Sequence, residues 1–171
     1  MDDGADWQFL LAVDLVAEAA IERDVLGKAL IGIEADRIDA EGLEAVITRH
    51  RAAAAATRAG VQALGGLTSY VVRDEDAAPA ATTLRAPEGV DAREIVTAAL
   101  AVDASVPVQA AAGALAKEMI RVNHYGRAAD RAVVTASLTA LAGGLRALGA
   151  SVDAEGAALA AGAAWDEVAA G

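Results

Sequence analysis

The chain has 171 residues, no cysteine and a formal charge of −11, and 56% of its residues are hydrophobic while only 3% are aromatic. Its length is typical of one domain, and its acidity disfavours nucleic acids and anionic membranes, because both bind basic surfaces. A chain without cysteine has no disulfide, no thiolate nucleophile and no zinc–thiolate site. The N-terminus Met1-Asp2-Asp3 is acidic and no long apolar run follows, so we expect a cytoplasmic protein without a signal peptide or membrane span.

The first predicted helix begins near the start of the chain and carries Asp14, Glu18 and Glu22 four residues apart along one edge. Like charges at this spacing repel each other. A cation site, or one carboxylate with a raised pKa that acts as an acid or base, would relieve the repulsion. Solvation of this edge, or pairing with Arg51 and Arg58, would do so without any function, and we favour these two explanations.

After a second predicted helix, or a kinked continuation of the first, at residues 25–33, a long helix begins at Asp39, as its N-cap, and ends at the pair Gly65-Gly66. Along this helix, a seven-residue spacing places four residues on one narrow face: Leu43, His50, Thr57 and Leu64. The imidazole of His50 is the one polar ring on this face, among apolar or small side chains. A buried imidazole needs a partner. His50 is therefore a candidate general base or ligand contact, and the simpler alternative is a structural histidine bonded to a nearby carbonyl.

Residues 67–90 interrupt the helical pattern with two prolines and with the β-branched stretch at Val71-Val72. The segment Thr82-Thr83-Leu84 can pair with residues 69–72 as a short hairpin. A two-stranded ribbon alone is only marginally stable, so we expect an irregular flap.

Four further helices are predicted in residues 91–170. Aspartates at their starts can accept the free backbone N–H groups of the first turn, as at Asp91, Asp130 and Asp153. The second of these four begins at Ser105 and Pro107, because proline is tolerated in a first turn, and ends at His124-Tyr125-Gly126.

A basic cluster lies at the predicted end of the helix that begins at Ser105, and it contains Arg121, His124, Tyr125 and Arg127. These side chains would form an anion or carboxylate site. Cations at a helix C-terminus also suit the helix dipole, which is the purely structural explanation.

No metal centre is predicted. Glu44 precedes His50 by six residues, and Glu118 precedes His124 by six. Six residues correspond to a rotation of about 240° around a helix, so the members of each pair do not share a face.

Together these patterns predict one all-α domain over residues 1–171, a bundle of about six or seven helices, with helical parts 4–66 and 91–170 joined by the flap 67–90. The sparse chemistry favours a non-catalytic binding or interaction protein, homodimeric because its alanine-rich faces need burial, with a small-molecule or protein partner and no cofactor. The alternative is a cofactor-independent enzyme in which His50 works with Asp14 or Glu18 as general acid and base in a pocket between helices.

Overall fold

The computed structural model describes residues 36–171. The chain divides into two compact units, Met1–Leu43 and Glu44–Gly171. In the described part of the first unit, residues 36–41 are helical, so Asp39 lies inside a helix rather than at its N-cap.

Beyond residue 42, helices and strands follow each other along the described chain. Four long helices, α1 to α4, span Leu43–Leu64, Ala92–Val102, Arg131–Ala147 and Ala154–Ala170. Four strands, β1 to β4, span Thr68–Ser69, Ala81–Arg85, Val108–Ala110 and Met119–Asn123. Short 3-10 turns occupy Asp74–Asp76, Gly113–Leu115 and Gly126–Ala128.

The strands form one sheet in the order β1-β2-β4-β3, and every neighbouring pair is antiparallel. The prediction of an all-α bundle is therefore wrong. Residues 67–90 are not a separate flap either, because β1 and β2 belong to this sheet. Thr68 pairs with Arg85 and Ser69 with Leu84, and β2 continues the sheet by pairing with β4.

The largest error concerns residues 105–124, which were predicted to form a helix and contain β3 and β4. In β4, Ile120 and Val122 are buried, while Arg121 between them is only partly buried. Apolar and polar residues alternate with the period of two that marks a strand. The many alanines nearby favour a helix by local propensity, and pairing with two neighbouring strands overrides that preference.

The predicted helix starts at Asp91, Asp130 and Asp153 are confirmed. Asp91 accepts a hydrogen bond from the N–H of Arg93, Asp130 from those of two first-turn residues, and Asp153 from Gly156. Capping is decided by residues close in the sequence, so it can be predicted although the surrounding architecture is not.

Helices α2 and α3 meet at very short distance because α3 contains Gly143-Gly144. A Cβ atom placed on Gly144 would lie 2.7 Å from the backbone nitrogen of Ala99 in α2. Backbone cannot move aside as a flexible side chain does, so this contact requires glycine. The contact holds α2 between α3 and the sheet, with Ile95 of α2 fully buried in the core.

The remaining predictions concern membrane spans, cellular location and domain organisation. No helix within residues 36–171 is long and apolar enough to cross a membrane. The cytoplasmic location and the single-domain organisation of residues 1–171 stay predictions.

We expect Gly144→Ala to lower the free energy of unfolding by about 2 kcal/mol, because the added methyl group overpacks the α2–α3 contact. Gly162→Ala in α4 is the matched control, since its Cβ would meet only the end of the Arg131 side chain, at 3.2 Å. That control should be neutral or stabilising by up to about 1 kcal/mol through helix propensity. Urea unfolding of both variants measures the difference, and equal stabilities would contradict the close-contact explanation.

Candidate functional site

The two faces of the sheet have different characters. Ile120 and Val122 of β4 point into the hydrophobic core together with Leu84 of β2. The intervening residues of β4, Arg121 and Asn123, lie on the other side because successive side chains alternate between faces. We call that side the polar face.

A row of four polar side chains crosses this face from strand to strand. Arg121 is directly opposite Thr83 of β2 on one side and Gln109 of β3 on the other. Tyr70, just after β1, donates its backbone N–H to the Thr83 carbonyl over 2.8 Å and so continues the row. Directly opposite residues share a face, with their Cβ atoms roughly 5 Å apart.

Arg121 is half-buried at the centre of the row and has no acidic partner within the described residues. One of its terminal nitrogens, Nη2, donates to Asn123 Oδ1 over 3.0 Å. Its Nε is buried and has no hydrogen-bond acceptor in the described part of the chain. A buried donor without an acceptor costs free energy, and an anion would be a suitable partner for this guanidinium.

Arg85, at the end of β2, contrasts with Arg121 because it already has partners. Its guanidinium stacks over the ring of Tyr70, 4.2 Å from the centroid, and lies 3.5 Å from Glu118 Oε2. The Tyr70 hydroxyl donates to the other oxygen of that carboxylate over 3.1 Å. The charge of Arg85 is therefore partly balanced, whereas that of Arg121 is not.

His124 follows β4 and lies on the core side, fully buried. Its Nε2 is 2.9 Å from the hydroxyl oxygen of Thr82, and its Nδ1 has no partner within residues 36–171. Burial, and to a smaller extent electrostatic interaction with His50 and Arg58, lower the pKa of His124 from its ordinary value of 6.5 to about 4. In the neutral tautomer that carries its proton on Nε2, Nε2–H donates to Thr82 and Nδ1 is an acceptor, whereas protonation of the ring would create a buried Nδ1–H without an acceptor.

The predicted anion-binding cluster is not brought together on one surface. Arg121 lies on the polar face and His124 in the core. Tyr125 is 57% exposed in the turn that follows β4, and Arg127 is exposed in the same turn. Of the four residues, Arg121 has the surroundings of an anion site, and a binding role for the other three stays a prediction.

Of the three predicted acid–base residues, His50 alone lies within the described residues. Asp14 and Glu18 lie outside the described residues. His50 is half-buried, and its Nδ1 is 2.7 Å from the carbonyl oxygen of Val46 one turn earlier. This is the carbonyl-bonded arrangement given above as the structural alternative for His50.

Thr83 and Gln109 were missed as site residues. Their signal is the two-residue alternation in Ala81–Arg85 and Val108–Ala110, which places them on the side opposite Leu84 and Val108. Only the pairing of the strands shows that both residues flank Arg121.

No family model matches the chain. It is similar in sequence to two characterised enzymes. The chain is 38% identical over 109 residues to pyridoxamine–pyruvate transaminase of Mesorhizobium japonicum, a match covering 64% of this chain and 27% of that enzyme. It is 36% identical over 105 residues to L-aspartate–glyoxylate aminotransferase of Paracoccus denitrificans, a match covering 61% of this chain and 26% of that enzyme. The chain thus spans about a quarter of the length of these relatives.

Solved structures lead to the same group of enzymes. Pyridoxamine-pyruvate aminotransferase from Mesorhizobium loti superimposes with a TM-score of 0.69 and 32% identity over 77% of this chain and 33% of that one. Ureidoglycine-glyoxylate aminotransferase from Bacillus subtilis superimposes with a TM-score of 0.68 and 27% identity over 77% of this chain and 33% of that one. The chain is similar to aminotransferases in sequence and in fold.

These similarities correct the functional predictions. The non-catalytic binding protein is wrong, because the similar proteins are enzymes. The cofactor-independent enzyme built on His50 with Asp14 or Glu18 is wrong as well, because those enzymes are aminotransferases.

The buried His124 predicts how stability changes with pH. Its folded-state pKa of about 4 lies below the ordinary 6.5, so the unfolded chain takes up the proton first as the pH falls. Stability should decline from about pH 6.5 to about pH 4, by up to roughly 3 kcal/mol from this group. Urea unfolding across this range measures the decline.

The control is His124→Gln, whose amide can still donate to Thr82 but does not titrate. Carboxylates titrate equally in both proteins, so the difference between the two pH profiles isolates the histidine. Equal slopes, or an NMR titration of the His124 ring with a midpoint near 6.5, would contradict the buried neutral imidazole.

Proposed function

We propose that this chain serves an aminotransferase by binding the carboxylate group of a 2-oxo or amino acid substrate at Arg121. The observation that carries the proposal is the half-buried guanidinium on the polar face, with its unsatisfied Nε and no acidic partner among residues 36–171. A guanidinium can donate two parallel hydrogen bonds to one carboxylate. Such a clamp holds the substrate in a single orientation for the chemistry.

The names of the similar enzymes support the substrate class. Each of the two solved neighbours described above pairs its amino substrate with pyruvate or glyoxylate, and both sequence relatives do the same. Pyruvate and glyoxylate are small acids with a carboxylate next to a carbonyl group. We propose acids of this kind as ligands of Arg121.

Transamination uses pyridoxal phosphate, which its enzymes hold through a lysine side chain and which supplies the electron sink for the reaction. Among residues 36–171 the only lysine is Lys117, and it is exposed. No lysine in the described part of the chain is enclosed as a cofactor-binding lysine needs to be. The described residues therefore do not fit this cofactor, and the proposal assigns them substrate binding alone.

We also propose that the chain acts as a homodimer. Helix α4 buries only Ala157 and Ala161, while its Leu159 is 70% exposed. Exposed apolar side chains on a helix are stabilised when a second subunit covers them. Light scattering at micromolar concentration should show a species of twice the 17.1 kDa chain mass, and a species of the single mass alone would contradict the dimer.

Carboxylate binding is tested by titrating the 171-residue chain with pyruvate and with its neutral amide, pyruvamide, while recording backbone amide shifts by NMR. Pyruvate should perturb Arg121 and its neighbours on the polar face, and pyruvamide should bind at least about tenfold more weakly because it lacks the charge.

Arg121→Gln should weaken pyruvate binding at least about tenfold, since it removes the charged fork. Arg51→Gln is the matched control, because it deletes the same charge from an exposed position of α1. Retained pyruvate binding in Arg121→Gln, or equal losses in the two variants, would overturn the proposal.

A further inference from the structure

We propose that Thr83 and Gln109 complete the carboxylate site around Arg121, and that the uncharged amide of Gln109 leaves the guanidinium unoccupied for the ligand. The inference rests on the proposed function and deepens it. Its basis is the register that places these two uncharged side chains on either side of the arginine.

A carboxylate has more acceptor positions than one guanidinium fork fills. An ionised carboxylate has about four lone-pair positions. The fork of Arg121 occupies two of them, one on each oxygen. The two that remain point outward to the sides, and donors beside the fork can reach them.

The sheet supplies such donors on both sides. The Thr83 hydroxyl comes from β2 and the Gln109 amide from β3, each directly opposite Arg121. Neither side chain has a hydrogen-bond partner within the described residues. By contrast, the fourth member of the row, Tyr70, is bonded to Glu118, and Asn123, two residues along β4, is bonded to Arg121. The two free side chains belong to the residues that pair directly with Arg121 in the sheet.

The rigidity of the setting strengthens the inference. Arg121 is braced by Asn123 from its own strand, so its fork cannot turn freely. Thr83 and Gln109 lie within regular strand pairs, whose backbone bonds hold the three positions at fixed spacing. Backbone positions that are fixed in advance reduce the entropy lost on binding.

A neutral amide at position 109 also prevents self-inhibition. A carboxylate directly opposite Arg121 would form a cross-strand ion pair and occupy the fork. Glutamine has the length of glutamate, but it carries no charge and its amide nitrogen is a donor that the ionised carboxylate lacks. Gln109→Glu therefore tests the idea more sharply than removal of the side chain.

The experiment is the pyruvate titration of the full 171-residue chain by NMR, applied to variants of the row. We expect Gln109→Glu to weaken pyruvate binding at least about tenfold, and Gln109→Ala and Thr83→Val by about three- to tenfold each, as for the loss of one hydrogen bond to a charged group. Thr83→Ser keeps the hydroxyl and should restore binding.

The matched control is Gln62→Glu, which introduces the same charge at an exposed position of α1 and should leave binding unchanged. The selectivity for pyruvate over pyruvamide should fall in Gln109→Glu and not in the control. A structural role of Gln109 would leave this ratio unchanged, and thermal unfolding verifies that each variant is folded.

The two proposals fail in different ways. If pyruvate binding depends on Arg121 but is the same in all Gln109 and Thr83 variants, the extended site is wrong and the proposed function stands. If the unaltered chain binds no pyruvate, or binds it independently of Arg121, both are overturned.

Discussion

The alternation of residues along β4 is the constraint on which the rest of this structure depends. Because β4 lies inside the sheet, between β2 and β3, both of its faces are specified. Ile120 and Val122 enter the core, and this fixes Arg121 on the opposite face. A slip of one residue in register would bury the guanidinium and expose the aliphatic residues, so the energy of the core also positions the candidate site.

The core side carries a second polar feature that depends on the same strand. His124 follows β4 and bonds to Thr82, while Thr82 itself pairs with Val122 in the sheet. Keeping this imidazole neutral joins the end of β4 to the start of β2 without burying a charge. The hydrogen bond thus reinforces the β2–β4 pairing that places Thr83 next to Arg121.

Local features of this chain could be predicted from its sequence, and non-local ones could not. Asp91 and Asp153 cap their helices through bonds to residues two or three positions away, and the sequence alone predicts such contacts. The strands β2 and β4 are separated by more than thirty residues, and the alanine-rich sequence around β4 has strong helix propensity. The charge of Arg121 predicts an anion-binding residue, but the sequence around it predicts a helix terminus where the structure has a strand. Gln109 and Thr83 carry no charge and no motif, so only the strand register reveals them.

A chain with a net negative charge can attract a carboxylate only through positive charge at short range. The net charge of −11 repels anions at long range, but salt screens such interactions beyond about 8 Å at physiological ionic strength. Within the row, the nearest neighbours of Arg121 across the sheet are uncharged, and the next basic residue, Arg85, is partly balanced by Glu118. The guanidinium therefore keeps its full attraction for a ligand at contact, where partial burial strengthens it. The attraction of this site for an anion is therefore determined by the residues of the row and not by the net charge of the chain.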